Sequence, residues 1–236
     1  MILLIVCLIV EGVVIWYFYN YFKKRAVAKK LITEYNENDK YSCLKNANVG
    51  DIIKLGEYKP RDVVQPIEWI VVRKINGRIT LISKNILAEY RYDNGGSHVD
   101  WMGCDLRQYM NSKEFLGKFF SLEERLIPSN NSCVKGNGDA MLSPNTKDTF
   151  YVLSRDEIEK YMDIPAFNDS CLNKGKYNFC NAFWVRSKEP NKYMIYSIKE
   201  NRFIEQETGE DVFGIRAVFK ICTDDIEISR LMEKRY

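Results

Sequence analysis

His98 is the only histidine in this chain, and that one fact limits the chemistry open to it. A Ser-His-Asp or Cys-His nucleophilic site would have to be built on His98. It lies in a Gly-Gly-Ser-His stretch, two residues from Asp100, with no nucleophile motif nearby. A mononuclear zinc enzyme, which draws on two or three histidines, fits less well still. Seven cysteines are present: Cys7, Cys43, Cys104, Cys133, Cys171, Cys180 and Cys222. No C-x-x-C occurs among them, which speaks against a zinc knuckle or a thioredoxin-like redox pair. Six lie beyond the N-terminal segment and would permit three disulfides in an oxidising space. Their irregular spacing favours free thiols, several buried as small hydrophobes. Cys171 and Cys180, nine residues apart around Gly175-Lys-Tyr-Asn178, are the pair that spacing makes worth following.

Oxygen-rich stretches offer two further candidates. Glu189-Pro190-Asn191 matches the calcium- and sugar-binding triplet of mannose-type C-type lectins, in which carboxylate and amide oxygens meet both cation and sugar hydroxyls. That chemistry needs further acids from a neighbouring strand, and Lys192-Tyr-Met-Ile-Tyr-Ser197 supplies none, so a proline-containing hairpin loop is the default. Asn137-Gly138-Asp139 with Asp148 could offer oxygens to Ca²⁺, but it lacks the regular D-x-D-x-D spacing and closing Glu of an EF-hand loop. Glu68, Arg107, Arg186 and Arg216 are charges inside apolar segments. Such charges must be partnered, so they read as ion pairs tying the sheet together, with a ligand site as the competing reading. No catalytic, cofactor or metal residue is assigned, and the chain reads as non-catalytic.

The elements that would hold these residues start with a membrane anchor. Residues 1–22, MILLIVCLIVEGVVIWYFYNYF, are almost entirely apolar, and KKRAVAKK follows with five basic residues and no acid. A hydrocarbon core of ~30 Å calls for ~20 apolar residues at ~1.5 Å each. Trp16, Tyr17, Tyr19 and Tyr21 are suited to the headgroup layer. A cleaved signal would have a basic residue before a shorter apolar run; neither is present. The five cations all flank the C-terminal end of the run, which predicts a single-pass protein with its globular part in the cytoplasm. The bilayer is the first expected partner. Glu11, near the middle of the span, either contacts another membrane helix or is tolerated in protonated form.

Beyond the anchor, 23–47 reads as a basic juxtamembrane and polar linker, 48–222 as an α+β globular domain, and 223–236 as a charged tail with helical spacing. The net charge of +3 comes partly from the juxtamembrane cluster, so the globular part lacks the basic stripe of a nucleic-acid binder. Ile67–Ile75, Asn76-Gly77 and Arg78–Ser83 predict a central β-hairpin. Leu106, Tyr109 and Met110 predict a short helix between Cys104 and Phe115. Ser121–Glu124 and Ser154–Glu157 both read as capping boxes, the first opening a helix that Pro128 stops, the second a helix to about Met162. Residues 129–148 read as a long loop, and Phe150–Leu153, Ala182–Ser187, Tyr193–Ile198 and Gly214–Ile221 as strands.

The ordered set Glu68-Trp69-Ile-Val71, Cys104-Asp-Leu106-Arg107-Gln-Tyr109-Met110-Asn111, Tyr151-Val-Leu153-Ser154, Phe183-Trp184-Val-Arg186-Ser187 and Gly214-Ile-Arg216-Ala217 resembles an uncharacterised bacterial domain family. The family pattern runs E-W-x-V, C-x-L-R-x-W-L-N, L-L-S-x-x-E, W-L-R-S and G-V-R-P-A, and the resemblance spans about 48–222. The chain departs from it at Tyr109-Met110, at Lys188 and in lacking Pro after Arg216. The family is similar to the C-type-lectin-like superfold shared with formylglycine-generating enzymes. That implies a compact α+β domain with a small twisted antiparallel sheet, two short helices and long loops. Oxidase activity there depends on a copper-binding cysteine pair, and no motif here carries that role to Cys171 and Cys180. The expectation is a membrane-anchored domain that binds a small-molecule or protein ligand. The alternatives are a cysteine-dependent oxidase-like enzyme, by superfold analogy alone, and an assembly component acting through its anchor helix.

Overall fold

Asn76 and Gly77 take φ values of 47° and 69°, the left-handed pair that a type I′ turn requires. In the computed structural model this turn joins β2 (Gln65–Ile75) to β3 (Arg78–Ser83) in an antiparallel hairpin. Ile67, Trp69, Ile70, Val71 and Val72 are all buried, so both faces of β2 are covered, as its apolar run implies. The structure describes residues 16, 19, 43–58, 65–94, 100–116, 126–131, 146–172, 180–189 and 192–223. The chain forms two units, Met1–Cys43 and Leu44–Tyr236. In the first, Trp16 and Tyr19 are helical and exposed. The rest of the expected anchor, Glu11 included, lies outside the described residues, among which no helix is long and apolar enough to cross a membrane.

The second unit is mixed α+β, mostly sheet with a few short helices. One sheet runs β1 (Ile52–Tyr58), β2, β3, β13 (Val218–Cys222) and β5 (Leu126–Ile127), with β8 (Phe150–Tyr151) also on β13. The other runs β11 (Arg202–Gln206), β10 (Lys192–Ser197), β9 (Ala182–Glu189), β12 (Val212–Ile215) and β4 (Ala88–Arg91). A third, two-stranded ladder pairs β6 (Ser129–Asn131) with β7 (Thr146–Asp148). The helices include α1 (Asp105–Met110), α2 (Lys113–Leu116), α3 (Arg155–Tyr161) and α4 (Pro165–Leu172), and residues 44–46 are also helical.

Aromatic rings carry the core from one element to the next. Trp69 meets Phe219 edge-on at 4.7 Å, Phe219 meets Phe150 at 5.2 Å, and Phe150 meets Phe115 of α2 at 5.5 Å. In the other sheet Tyr92 packs edge-on against Trp101, Trp184 and Tyr193. Each such pair adds about 0.5–1.5 kcal/mol beyond its buried area. Two indoles also donate to backbone carbonyls, Trp69 to Leu55 at 2.8 Å and Trp184 to Tyr90 at 2.7 Å.

The local signals hold where they are self-contained. Ser154 caps α3 with its hydroxyl on the Glu157 N–H, and the Glu157 carboxylate returns to the Ser154 N–H at 2.8 Å. Elsewhere the structure corrects the sequence reading. Leu126 and Ile127 are not helical; they pair with Ile221 and Lys220 at the sheet edge, where tertiary partners outweigh the local cap signal. Ser121–Arg125 lie outside the described residues. The 129–148 loop has paired ends in β6 and β7. The expected 104–115 helix is two, broken after Asn111. Pro165 opens α4 at its first turn, where its missing N–H costs nothing. Gly214–Ile221 is two strands in two different sheets, because the chain crosses between them at Arg216-Ala217.

Candidate functional site

Asp148, at the end of β7, is 1% exposed and accepts hydrogen bonds from four side chains. Trp101 Nε1 lies at 2.9 Å, Asn131 Nδ2 at 2.7 Å and Thr146 Oγ1 at 2.6 Å, all on Oδ2, and Arg107 Nε is 2.5 Å from Oδ1. Burial works to raise the carboxyl, but the bonds from Thr146, Trp101, Asn131 and Arg107 together outweigh it, and its pKa falls below the ordinary carboxylate value. The oxygens face N–H and O–H groups. A carboxylate surrounded by donors is built to hold those donors, and it does not have the open lone pairs that a Ca²⁺ ligand presents. Asn137–Asp139, the other half of the expected calcium loop, lie outside the described residues.

Cys104, Leu106, Arg107, Met110 and Asn111 each have a physical task. Cys104 is the N-cap of α1: its sulfur accepts from the Arg107 N–H at 3.4 Å and its thiol donates to the Trp101 carbonyl at 3.4 Å. Burial pushes that thiol up to about 12, so it stays protonated at neutral pH and is a poor nucleophile. Leu106 and Met110 bury the inner face of the helix. Arg107 reaches Asp148 from one end and the Met102 carbonyl, at 3.0 Å, from the other. The Asn111 side chain latches α1 to β8, accepting from Thr149 N at 2.8 Å and donating to Phe150 O at 2.9 Å.

Two more arginines are held inside the second unit by different means. Arg186 on β9 is 3% exposed; its Nη2 meets Glu157 Oε2 at 2.9 Å and its Nε meets the Val152 carbonyl at 3.2 Å. Glu157 therefore serves the α3 cap and the ion pair together. Arg216, 2% exposed, has no carboxylate on it among the described residues. Its Nε and Nη2 donate to the Ser83 carbonyl at 3.0 and 2.9 Å, Nη2 also to Ser170 Oγ at 2.9 Å, and Nη1 to Cys171 Sγ at 3.0 Å. The Phe167 and Phe183 rings lie 5.0 and 5.2 Å from the guanidinium carbon. The residue thus clamps α4 to both sheets at the point where the chain changes sheet. Glu68, the fourth singled-out charge, pairs with Lys84 at 2.9 Å where both are about a third exposed, a contact of small energetic weight.

The remaining candidates do not converge. His98 lies outside the described residues, as do Pro190 and Asn191; Glu189 ends β9 as the register partner of Lys192 in the hairpin. Cys104, Cys171 and Cys222 are buried free thiols, Cys43 is exposed and Cys180 half-buried. Cys171 is engaged by Arg216, whereas Cys180 faces the Val212 carbonyl at 3.9 Å. Burial, with Glu89 beside it, pushes the Cys180 thiol up to about 12. Among the described residues no group of three or more His, Cys, Asp or Glu is placed to hold a metal ion. Arg107 and Asp148 stand out separately in the sequence, and nothing across their separation of 41 positions signals that they meet.

Compared with known proteins, residues 76–222, more than half of the chain, match a family model described as a domain of unknown function. The match begins inside the Asn76-Gly77 turn, so Glu68–Val71 precede it, although β2 is hydrogen-bonded to the first matched strand. No curated protein and no solved structure matches the chain.

Proposed function

The chain belongs to the DUF6273 family, and we propose that it is a single-pass membrane protein whose family domain is a non-catalytic binding module. The observation that carries the membrane reading is the apolar run 1–22 closed by the basic stretch 23–30. The non-catalytic reading is supported by the structural tasks of the buried polar and charged residues. Cys104 caps a helix with a protonated thiol, Asp148 is saturated by four donors, and Arg186, Glu157 and Arg216 are consumed in tying elements together. These residues define a scaffold, and the ligand specificity would then rest on what the scaffold displays. A C-type-lectin-like superfold is the finer fold reading. It is supported by two mainly antiparallel sheets, the short capped helices, and the pairing of β3 with β13, which brings the ends of the matched stretch together.

The cytoplasmic orientation rests on the five cations that follow the run and on the three buried free thiols. Glu11 is the proposed contact with a second membrane helix. Cysteine labelling in whole cells tests the orientation. A membrane-impermeant maleimide should reach exposed Cys43 only after permeabilisation, and labelling in intact cells would overturn it. Glu11→Leu should disperse a detergent-stable complex while leaving the second unit folded; an unchanged complex size removes Glu11 from the contact.

A further inference from the structure

Lys220 stands in the middle of the apolar strand β13, and the register shows what it faces. Arg73 of β2, Thr80 of β3 and Lys220 of β13 are direct cross-strand partners in sequence, so their side chains share one face of the six-stranded sheet. Among the described residues, neither Lys220 nor Arg73 has a hydrogen bond or an ion pair. Thr80 is 4% exposed. Burial lowers the pKa of the Lys220 ammonium, and the charges of Arg73, Arg78 and Arg186 lower it further, while Glu157 alone opposes them. That carboxylate is already engaged by Arg186 and by the Ser154 N–H.

Among the described residues Lys220, half-buried, has only the shared Glu157 carboxylate as an opposing charge, and it stands in a row with a second cation, an arrangement that a negative ligand would complete. We propose that the Arg73–Thr80–Lys220 row binds a tetrahedral oxyanion of the phosphate class, with Lys220 and Arg73 donating charge-assisted hydrogen bonds on either side of the buried Thr80. The arrangement is a charged floor in the sheet, beside the Arg186–Glu157 pair and separate from the Arg107 and Arg216 clusters. It gives a ligand class to the proposed binding module and does not depend on the anchor. A free phosphomonoester and a lipid headgroup both present such a phosphate, and the test separates the two.

The full chain in neutral detergent is titrated with inorganic phosphate at constant ionic strength maintained with chloride, and binding is read by calorimetry and thermal shift. In parallel it is mixed with vesicles of phosphatidylcholine alone or with phosphatidylglycerol. Saturable phosphate binding, weakened at least about tenfold by both Lys220→Met and Arg73→Met and largely restored in Lys220→Arg, is the result expected for a free phosphate ligand. Binding only to the phosphatidylglycerol vesicles, with the same dependence on the two residues, supports the headgroup. Arg73 is exposed, so its variant should fold even if Lys220→Met does not. No binding to either probe, or binding that Arg73→Met leaves unchanged, overturns the proposal. The membrane reading would survive that result, because it is tested by extraction and labelling.

Discussion

Replacing Asp148 by Asn is the sharpest test of the claim that this carboxylate is a structural hub. The substitution keeps the volume but removes the charge and turns one oxygen into a donor. If the amide oxygen takes the Oδ2 position, it still accepts from Trp101, Asn131 and Thr146, but the new NH₂ then points at the Arg107 guanidinium, 2.5 Å away. If the amide flips, three donors face a donor. Either way the charge-assisted bonds are lost, each worth about 1.5–3 kcal/mol net. Arg107 is a quarter exposed and can turn partly to water, which limits the loss on its side. The expected cost is therefore about 3 kcal/mol, the lower end of the range for breaking a buried charge pair. Urea unfolding followed by tryptophan fluorescence measures it, since Trp69, Trp101 and Trp184 are all buried. The pH dependence is a second readout. A carboxyl whose folded pKa lies below its unfolded value of about 3.9 adds stability that is fully present above that value and disappears as pH falls through the folded one. Wild type should lose this contribution below about pH 4, and Asp148→Asn should show a flatter acid limb. A cost under about 1 kcal/mol with an unchanged acid limb would refute the reasoning.

Other consequences follow from single residues. A Cβ on Gly214 would stand 2.5 Å from Ile86 Cδ1 and 2.8 Å from Cγ1 and Cγ2, so Gly214→Ala should cost about 1–3 kcal/mol in urea. Combining it with Ile86→Ala should recover part of that loss, and full additivity of the two costs would contradict the clash. Ser154→Ala removes the hydroxyl half of the α3 capping box and should cost about 1 kcal/mol, seen as a lower urea midpoint at constant slope. With its pKa raised to about 12, Cys104 should resist iodoacetamide at pH 8 until the protein unfolds. Because the unfolded thiol ionises first, stability should also decline as pH rises above about 9, and Cys104→Ser should weaken that decline.

What could be read from the sequence was local. Asn76-Gly77 sets its own hairpin because two adjacent residues supply both left-handed positions, and Ser154–Glu157 closes its own cap. The charges at Arg107 and Arg186 stood out because apolar neighbours forced them to find partners. The identity of those partners was not legible: Asp148 and Glu157 are brought in by tertiary folding, and no spacing rule links them to their arginines. Leu126-Ile127 is too short a stretch to signal a strand by itself and becomes β5 where β13 offers an edge. The apolar run around Arg216-Ala217 conceals a change of sheet, since a continuous apolar run is what two buried strands joined end to end also produce. The Arg73–Thr80–Lys220 row left one trace, a lysine at the centre of Val218-Phe-Lys-Ile-Cys222, but its meaning depends on a cross-strand register that only the structure supplies.

The proposed hold of residues 1–22 on a bilayer is checked by alkaline carbonate extraction of membranes from cells making the full-length protein. An anchored protein stays in the pellet with its N-terminal residues intact by mass. Release into the supernatant, or a mature product lacking the apolar run, would contradict it.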